Sequence, residues 1–156
     1  MKIEVGQKAP DFTLYDTEKK PVSLADQKGS TVLLLFFPMA FTSVCTKELC
    51  NVRDNIASFS NVNAKVFGIS VDSPATLKKF KEDQHLNFPL LSDFNKEASA
   101  AYGCLYDVFN GWMKGVSKRS AFVIDKDGII RYGEVLEKAG NLPDFEEINA
   151  TLSSLH

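Results

Sequence analysis

The sequence predicts an α/β fold in which a mixed central sheet is flanked by helices. Two stretches, residues 30–37 and 64–71, are apolar and β-branched enough to be central strands covered on both faces. Each of them is followed by a stretch with the periodicity or the start signals of a helix. Near the end of the chain, a Lys-Asp-Gly turn signal at 126–128 separates two further strand-like runs, which indicates an antiparallel hairpin.

The first half of the chain carries an N-terminal hairpin, the central strand and a helix. Residues 11–16 and 20–24 are two short strands around a polar turn, and residues 30–37 are the central strand. One amphipathic helix is predicted from Cys45 to Phe59. Its apolar positions are spaced by three and four residues: Leu49, Val52, Ile56 and Phe59.

The second half alternates strands and helices before the final hairpin. Residues 72–84 form a helix with Asp72 or Ser73 as its capping residue and Pro74 at its first helical position. The other predicted elements are a strand at 64–71, a strand at 87–93, a short helix at 95–103, hairpin strands at 120–125 and 129–135, and a C-terminal helix at 142–155. No linker or repeat interrupts this pattern, so we expect one domain over residues 1–156.

Charge and composition argue against several classes of function. The net charge is −2, from 18 basic and 20 acidic side chains, so we expect no attraction to nucleic acid or to an anionic membrane. The best apolar run, residues 32–37, is far shorter than the ~18 residues of a membrane span, and the N-terminus has no signal-like segment. Three cysteines are too few for a disulfide scaffold. We therefore expect a cytoplasmic protein whose thiols serve catalysis, redox chemistry or metal binding.

Cys45 is the candidate for that chemistry, because it follows a central strand at the predicted start of a helix. Free backbone N–H groups and the helix dipole favour negative charge at such a position, and the thiolate is the nucleophilic form of cysteine. Pro38 fixes the backbone as it leaves the strand. Thr42 offers a hydroxyl that could cap the helix, bond the sulfur or bond a substrate oxygen.

The spacing Pro38-x-x-x-Thr42-x-x-Cys45 resembles the signature of the peroxiredoxins, thiol-dependent peroxidases with a thioredoxin-like fold. The resemblance extends over nearly the whole chain, through "VGQKAPDFTL" at 5–14, "GISVDSP" at 68–74 and "RSAFVIDKDGIIRY" at 119–132. Arg119 falls where that family places a guanidinium against the reactive thiolate. The resemblance implies a thioredoxin-like fold and a thiol peroxidase that reduces hydrogen peroxide and organic hydroperoxides.

The resemblance also implies a role for each residue of the motif. Cys45 would be the nucleophile and would become a sulfenic acid, which a thiol must then remove. The Thr42 hydroxyl and the backbone N–H groups near Val44 and Cys45 would hold the peroxide. Arg119 would stabilise the thiolate and the transition state, and Pro38 would shield the sulfur from water.

The remaining implications concern Glu48 and the partners of the protein. Glu48 matches an acidic position at which the family orients an arginine, although it could equally be a favourable acid of the first helical turn. The expected partners are a peroxide substrate and a thioredoxin-like or other thiol reductant. We expect no cofactor and no metal. The preferred peroxide, the physiological reductant and the choice between monomer and homodimer stay open at this point.

The second cysteine of the motif, Cys50, is a candidate resolving residue. Its spacing of five from Cys45 resembles the Q-type, or bacterioferritin-comigratory, peroxiredoxins, in which a cysteine on the same helix forms a disulfide with the first. Residues five apart in an intact helix are separated by roughly 8–9 Å, whereas a disulfide requires Cα atoms within about 7 Å. Closing Cys45–Cys50 therefore requires the helix to unwind.

Three resolving partners are compatible with the sequence. Ser43 and Val44 stand where the Q-type usually has Pro-Gly, and this stretch looks closer to the alkyl hydroperoxide reductase E and one-cysteine types. Cys50 is favoured, Cys104 is a second possible partner although we expect it to be structural, and an external thiol is the third.

Other functions fit the sequence less well. A general thiol–disulfide oxidoreductase normally uses C-x-x-C, whereas this chain has C-x₄-C. A cysteine hydrolase needs a histidine base near Cys45, and His85 is the sole internal histidine. A metal site would require Cys104 or His85 to converge on Cys45 and Cys50. A binding module without turnover would be expected to lack one of Thr42, Cys45 and Arg119.

Overall fold

Seven strands form one sheet in the computed structural model, which describes residues 3–155. In chain order they are β1 (Thr13–Asp16), β2 (Pro21–Ser23), β3 (Thr31–Phe36), β4 (Ala64–Ser70), β5 (Leu90–Ser92), β6 (Ser120–Ile124) and β7 (Ile130–Val135). Their order across the sheet is β2-β1-β5-β4-β3-β6-β7. β3, β4 and β5 are parallel neighbours and the other pairings are antiparallel. The predicted mixed sheet is therefore confirmed.

Five α-helices accompany the sheet in the described range. They are α1 (Ser43–Asp54), α2 (Ile56–Asn61), α3 (Pro74–Asp83), α4 (Glu97–Ala101) and α5 (Phe145–Leu155), with a short 3₁₀ helix at Ala25–Gln27. None of the helices within residues 3–155 combines the length and the apolar character needed to cross a membrane.

Both predicted hairpins are present. β1 pairs with β2 in a register that places Thr13 opposite Ser23, and β6 pairs with β7 so that Ser120 lies opposite Val135. In the second hairpin, the Asp125 carboxylate accepts hydrogen bonds from the N–H groups of Asp127 and Ile129 across the turn. The Asp125 side chain thus satisfies backbone N–H groups of the turn that was predicted at 126–128.

The side chains of β3 alternate between two apolar cores, one on each face of the sheet. Leu33 and Leu35 lie in the core to which α1, α2, α3 and α5 contribute. Val32 and Leu34 lie in the other core, which includes Ala98 of α4. All six residues of β3 are buried, as expected for a strand covered on both faces.

The prediction of one helix from Cys45 to Phe59 is wrong in its bounds and its continuity. The helix begins two residues earlier, at Ser43, and it breaks at Asn55 between α1 and α2. Asn55 has φ −116° and ψ 18°, and its side-chain amide donates to the backbone carbonyl of Asn51 at 2.8 Å. Asparagine side chains compete with helical backbone bonds in this way. The apolar spacing continues across the break because Ile56 and Phe59 pack against the same core as α1.

Of the two predicted capping residues of α3, Ser73 performs the role. Its hydroxyl oxygen accepts a hydrogen bond from the N–H of Thr76 at 3.2 Å, and Pro74 occupies the first helical position. Asp72 is therefore free to bond another part of the chain.

Candidate active site

Cys45 lies immediately beyond the carboxyl end of β3. The chain leaves the sheet through residues 37–42, called here the β3–α1 loop, and Cys45 is the third residue of α1. Its side chain is only 1% exposed. A pocket of about 220 Å³ adjoins it, lined by Pro38, Thr42, Cys45 and Arg119 together with Phe109 and Ala139. A pocket at this edge of the sheet is where α/β folds commonly bind their ligands.

Thr42 is the residue that precedes α1, but its hydroxyl does not cap the helix. The backbone of Thr42 is extended, and its hydroxyl donates to the Met39 carbonyl at 2.8 Å. The first backbone bond of α1 runs from the Thr46 N–H to the Thr42 carbonyl at 2.9 Å. The N–H groups of Val44 and Cys45 therefore precede the hydrogen-bonded turn and lie at the positive end of the helix.

Arg119 connects Cys45 to two other groups. Its Nη2 donates to Cys45 Sγ at 3.3 Å and to the Ala139 carbonyl at 3.0 Å. Its Nη1 donates to Glu48 Oε1 at 2.7 Å, and its Nε donates to the Ala139 carbonyl at 3.2 Å. Arg119 is 1% exposed and Glu48 is fully buried. Two acceptors, Glu48 and the Ala139 carbonyl, thus fix the orientation of the guanidinium that contacts the sulfur.

Burial dominates the electrostatics of Glu48. It raises the pKa of this carboxyl from 4.5 to about 7, against the opposing charge and hydrogen bond of Arg119. Burial alone would lower the pKa of Arg119, but the charges of Glu48 and Cys45 outweigh it and raise that pKa. Arg119 therefore stays charged, and Glu48 is the member of the pair that changes protonation. Its second oxygen, Oε2, has no hydrogen-bond partner among the described residues.

Replacing Glu48 with glutamine should flatten the pH dependence of stability between pH 4.5 and about 7. In this interval the folded protein keeps a proton on Glu48 that the unfolded chain releases. The contribution of Glu48 to stability is therefore greatest at low pH and falls as the pH rises, by at most about 1.4 kcal/mol per pH unit. Glutamine keeps an acceptor for Arg119 but has no carboxyl to titrate. Urea unfolding of both proteins at several pH values measures the difference, and parallel pH profiles would contradict the assignment.

The other two cysteines lie in different surroundings, and all three are free thiols. Cys50 is half-buried on α1, and its thiol donates to Gln84 Oε1 at 3.5 Å. Cys104 is buried in the core on the face of the sheet opposite to that of Cys45, and burial raises the pKa of its thiol to about 12. The structure brings Pro38, Thr42, Cys45, Glu48 and Arg119 together. It places Cys50 beside α3 and Cys104 elsewhere.

Several residues that line the pocket were not predicted from the sequence, among them Ala139 and Phe109. The Ala139 carbonyl accepts two of the Arg119 hydrogen bonds, and Phe109 lines the pocket from a loop that also carries the 75% exposed Trp112. Ala139 acts through its backbone, so its side chain provides no signal. Phe109 lies three positions before Trp112 in the sequence, and this pair of aromatic residues is the signal that could have suggested it.

Comparison with known proteins identifies relatives over most of the chain. Residues 5–133 match the AhpC/TSA family. Alkyl hydroperoxide reductase E of Mycobacterium bovis is 41% identical over 145 residues, which cover 91% of each chain. The crystal structure of peroxidoxin BcpB from Mycobacterium tuberculosis superposes with a TM-score of 0.87 at 32% identity, over 99% of each chain. That of the reduced 2-Cys peroxiredoxin of Plasmodium vivax gives 0.82 at 28% identity, over 95% of this chain and 79% of the other.

These matches agree with the arrangement at the end of β3. The sheet and its helices superpose on peroxiredoxin structures along almost their whole length. A buried cysteine at a helix start with a guanidinium on its sulfur is a thiol environment suited to nucleophilic chemistry. The chain therefore belongs to the AhpC/TSA family and is a peroxiredoxin, a thiol peroxidase with a thioredoxin-like fold.

Proposed function

We propose that this peroxiredoxin reduces hydrogen peroxide and organic hydroperoxides through a sulfenic acid on Cys45, which Cys50 then resolves as an intrahelical disulfide. The observation that carries the first step is the contact between Arg119 Nη2 and the buried Cys45 Sγ, at 3.3 Å. This contact places a full positive charge and a hydrogen-bond donor beside the sulfur that attacks the peroxide. Cys45 and Thr42 both line the pocket of about 220 Å³, in which a peroxide can contact the two residues together.

In the first step the Cys45 thiolate attacks one oxygen of the peroxide in line with the O–O bond. A sulfur–oxygen bond forms and the O–O bond breaks, so the sulfur is oxidised and the peroxide is reduced. The departing oxygen takes a proton and leaves as water or as an alcohol, and Cys45 is left as a sulfenic acid. In the transition state negative charge moves from the sulfur to the departing oxygen, and nearby donors stabilise it there.

Three kinds of donor are available for that charge. The Thr42 hydroxyl, which donates to Met39 in the free protein, can turn to a substrate oxygen. The N–H groups of Val44 and Cys45 lie at the open end of α1. The Arg119 guanidinium provides a full positive charge, and Glu48 and Ala139 hold its orientation. Pro38 lines the same pocket and limits the access of water.

In the second step the Cys50 thiol condenses with the Cys45 sulfenic acid, forming a disulfide and releasing water. Both cysteines lie in the intact helix α1, and Cys50 bonds Gln84 instead of facing Cys45. The first turns of α1 must therefore unwind before the disulfide can close. A thioredoxin-like or other dithiol reductant then returns both cysteines to thiols.

A one-cysteine cycle is the second candidate, and the intact α1 and the Ser43-Val44 pair favour it. In that cycle an external thiol attacks the sulfenic acid of Cys45 directly, and Cys50 remains a half-buried thiol that packs against the core. The fate of Cys45 after one oxidation separates the two cycles.

Intact-mass spectrometry after one equivalent of peroxide tests the proposal. The wild-type protein should lose two hydrogens, because a disulfide forms. Cys50→Ser should instead gain one oxygen and stop turning over with a dithiol reductant, since no partner remains on α1. Cys104→Ser, which changes a buried cysteine outside the site, is the matched control and should behave as the wild type. Disulfide formation should also speed amide exchange across residues 42–52.

Two outcomes would replace Cys50 as the resolving residue. Continued turnover of Cys50→Ser together with arrested turnover of Cys104→Ser would assign resolution to Cys104. Continued turnover of both variants, with a stable gain of one oxygen in the wild type, would establish the one-cysteine cycle.

A further inference from the structure

The Asp72 side chain bridges two loops at the carboxyl end of the sheet. Its Oδ2 accepts a hydrogen bond from the backbone N–H of Ala40, in the β3–α1 loop, at 2.8 Å. The same oxygen accepts from the Ser70 hydroxyl at 2.6 Å. Ala40 lies two residues before Thr42, so the loop that presents the Thr42 hydroxyl is tied to the chain that leaves the neighbouring strand β4.

The part of the chain that carries Asp72 is itself well anchored. The Asp72 carbonyl accepts from the Ser92 hydroxyl at 2.6 Å, and the Ser70 carbonyl accepts from the Asp93 N–H at 2.7 Å. Ser70 is fully buried and Ser92 is 7% exposed. The backbone that carries the Asp72 carboxylate is thus bonded to the ends of the adjacent parallel strands β4 and β5. Side chains placed on strands are held more precisely than those on loops.

A second contact ties the β3–α1 loop to the same region. Phe41 adopts a left-handed backbone with φ 65°, which is unfavourable for an aromatic residue. Its ring packs edge-on against Phe80 of α3, with 5.1 Å between the ring centroids, although Phe41 is 51% exposed. Because the loop holds a strained residue, external contacts are needed to keep a single conformation.

We propose that Asp72 is a positioning residue for peroxide reduction, which holds the β3–α1 loop through the Ala40 N–H and thereby places the Thr42 hydroxyl relative to Cys45. This inference rests on the proposed function, since it assumes that Thr42 holds the peroxide that Cys45 attacks. Among the residues that the structure describes, Asp72 is not one of those that line the pocket, and its hydrogen bond to the β3–α1 loop is the one to the Ala40 N–H. Its loss should therefore impair the alignment of the peroxide and leave the thiol itself reactive.

The test compares two reactions of Cys45 in the full-length protein. Asp72→Ala should slow oxidation of Cys45 by hydrogen peroxide roughly 10-fold to 100-fold, because small misplacements of reacting groups have effects of that size. Alkylation of Cys45 by iodoacetamide, which needs a thiolate but no aligned peroxide, should stay within about threefold of the wild type. Amide exchange at Ala40 should become faster.

Conservative variants separate positioning from a general loss of structure. Asp72→Asn retains an oxygen that can accept from the Ala40 N–H and should recover part of the oxidation rate. Ser70→Ala removes one donor to Asp72 and should slow oxidation about fivefold. Ser70→Ala also tests the role of Asp72 if Asp72→Ala does not fold. Asp26→Ala, an exposed aspartate of the 3₁₀ helix, is the control and should match the wild type.

A wild-type oxidation rate in Asp72→Ala would overturn the proposal, and so would an equal fall in the oxidation and alkylation rates. A different result would refute the proposed function itself: Cys45→Ser would still consume peroxide. Inactive Cys45→Ser together with fully active Asp72→Ala would reject the positioning role alone.

Discussion

Cys45→Ser should abolish peroxide reduction and leave the fold intact. Serine is close to cysteine in size and fits the buried position, but its hydroxyl stays protonated and is a poor nucleophile toward an O–O bond. Loss of a nucleophile typically slows an enzyme by roughly 10³-fold or more. Peroxide consumption with dithiothreitol as reductant measures the effect, and circular dichroism checks the fold.

Cys104→Ser is the matched control for this experiment. It makes the same chemical change at a buried cysteine on the opposite face of the sheet, where burial raises the pKa of the thiol to about 12. We expect that variant to retain activity. Wild-type consumption in Cys45→Ser would refute the assignment of the nucleophile, whatever Cys50 does.

Arg119→Ala should slow the reaction of Cys45 with peroxide at neutral pH by roughly 10²-fold to 10³-fold, the usual effect of removing a preorganised donor. The variant removes the donor to Cys45 Sγ and the charge that stabilises the departing oxygen. Arg119→Lys should recover only part of the rate. An ammonium keeps the charge, but it cannot contact Cys45, Glu48 and Ala139 together as the planar guanidinium does. Stopped-flow oxidation across a pH series is the measurement.

The buried carboxyl of Glu48 complicates the alanine variant, since without Arg119 this carboxyl has no hydrogen-bond partner among residues 3–155. A buried carboxyl without a partner destabilises the fold, which could lower activity without any direct effect on the sulfur. The double variant Arg119→Ala/Glu48→Met removes that problem, because methionine is apolar and close to glutamate in length, so no polar group is left buried without a partner. If the slow oxidation of Arg119→Ala persists in the double variant, the guanidinium acts on the reaction itself. Rates restored to the wild-type level there would assign the effect to stability.

The sequence predicted most of the fold because the strands and helices carry local signals. β3 is a continuous apolar run, β4 is apolar apart from the exposed Lys65 and the terminal Ser70, and Ser73 and Pro74 mark the start of α3. The break at Asn55 was missed since the apolar spacing continues through it. A polar side chain that competes with the helical backbone is visible in the sequence, but whether it prevails depends on the surrounding packing.

The candidate site was predictable in its side chains and not in its supporting contacts. Pro38, Thr42 and Cys45 stand at a characteristic spacing, and the resemblance to the family indicated Arg119 and Glu48. The structure brings these five residues together, and their roles stay predictions until the variants are measured. The contact between Asp72 and Ala40 spans 32 positions and involves a backbone group, so neither residue type points to the other.

The Ala139 carbonyl gives Arg119 an acceptor that does not depend on which amino acid occupies position 139. A point substitution there would leave the peptide oxygen in place, whereas a change in loop length would move it. A second backbone contact of this segment is also independent of side-chain identity: the Leu136 N–H donates to the backbone carbonyl of Arg119 at 2.9 Å. Insertions and deletions between positions 136 and 141 are thus the genetic changes that would displace the Ala139 carbonyl and alter the orientation of the guanidinium. A natural variant with an altered loop there would be a better indicator of changed chemistry than many substitutions in the same segment.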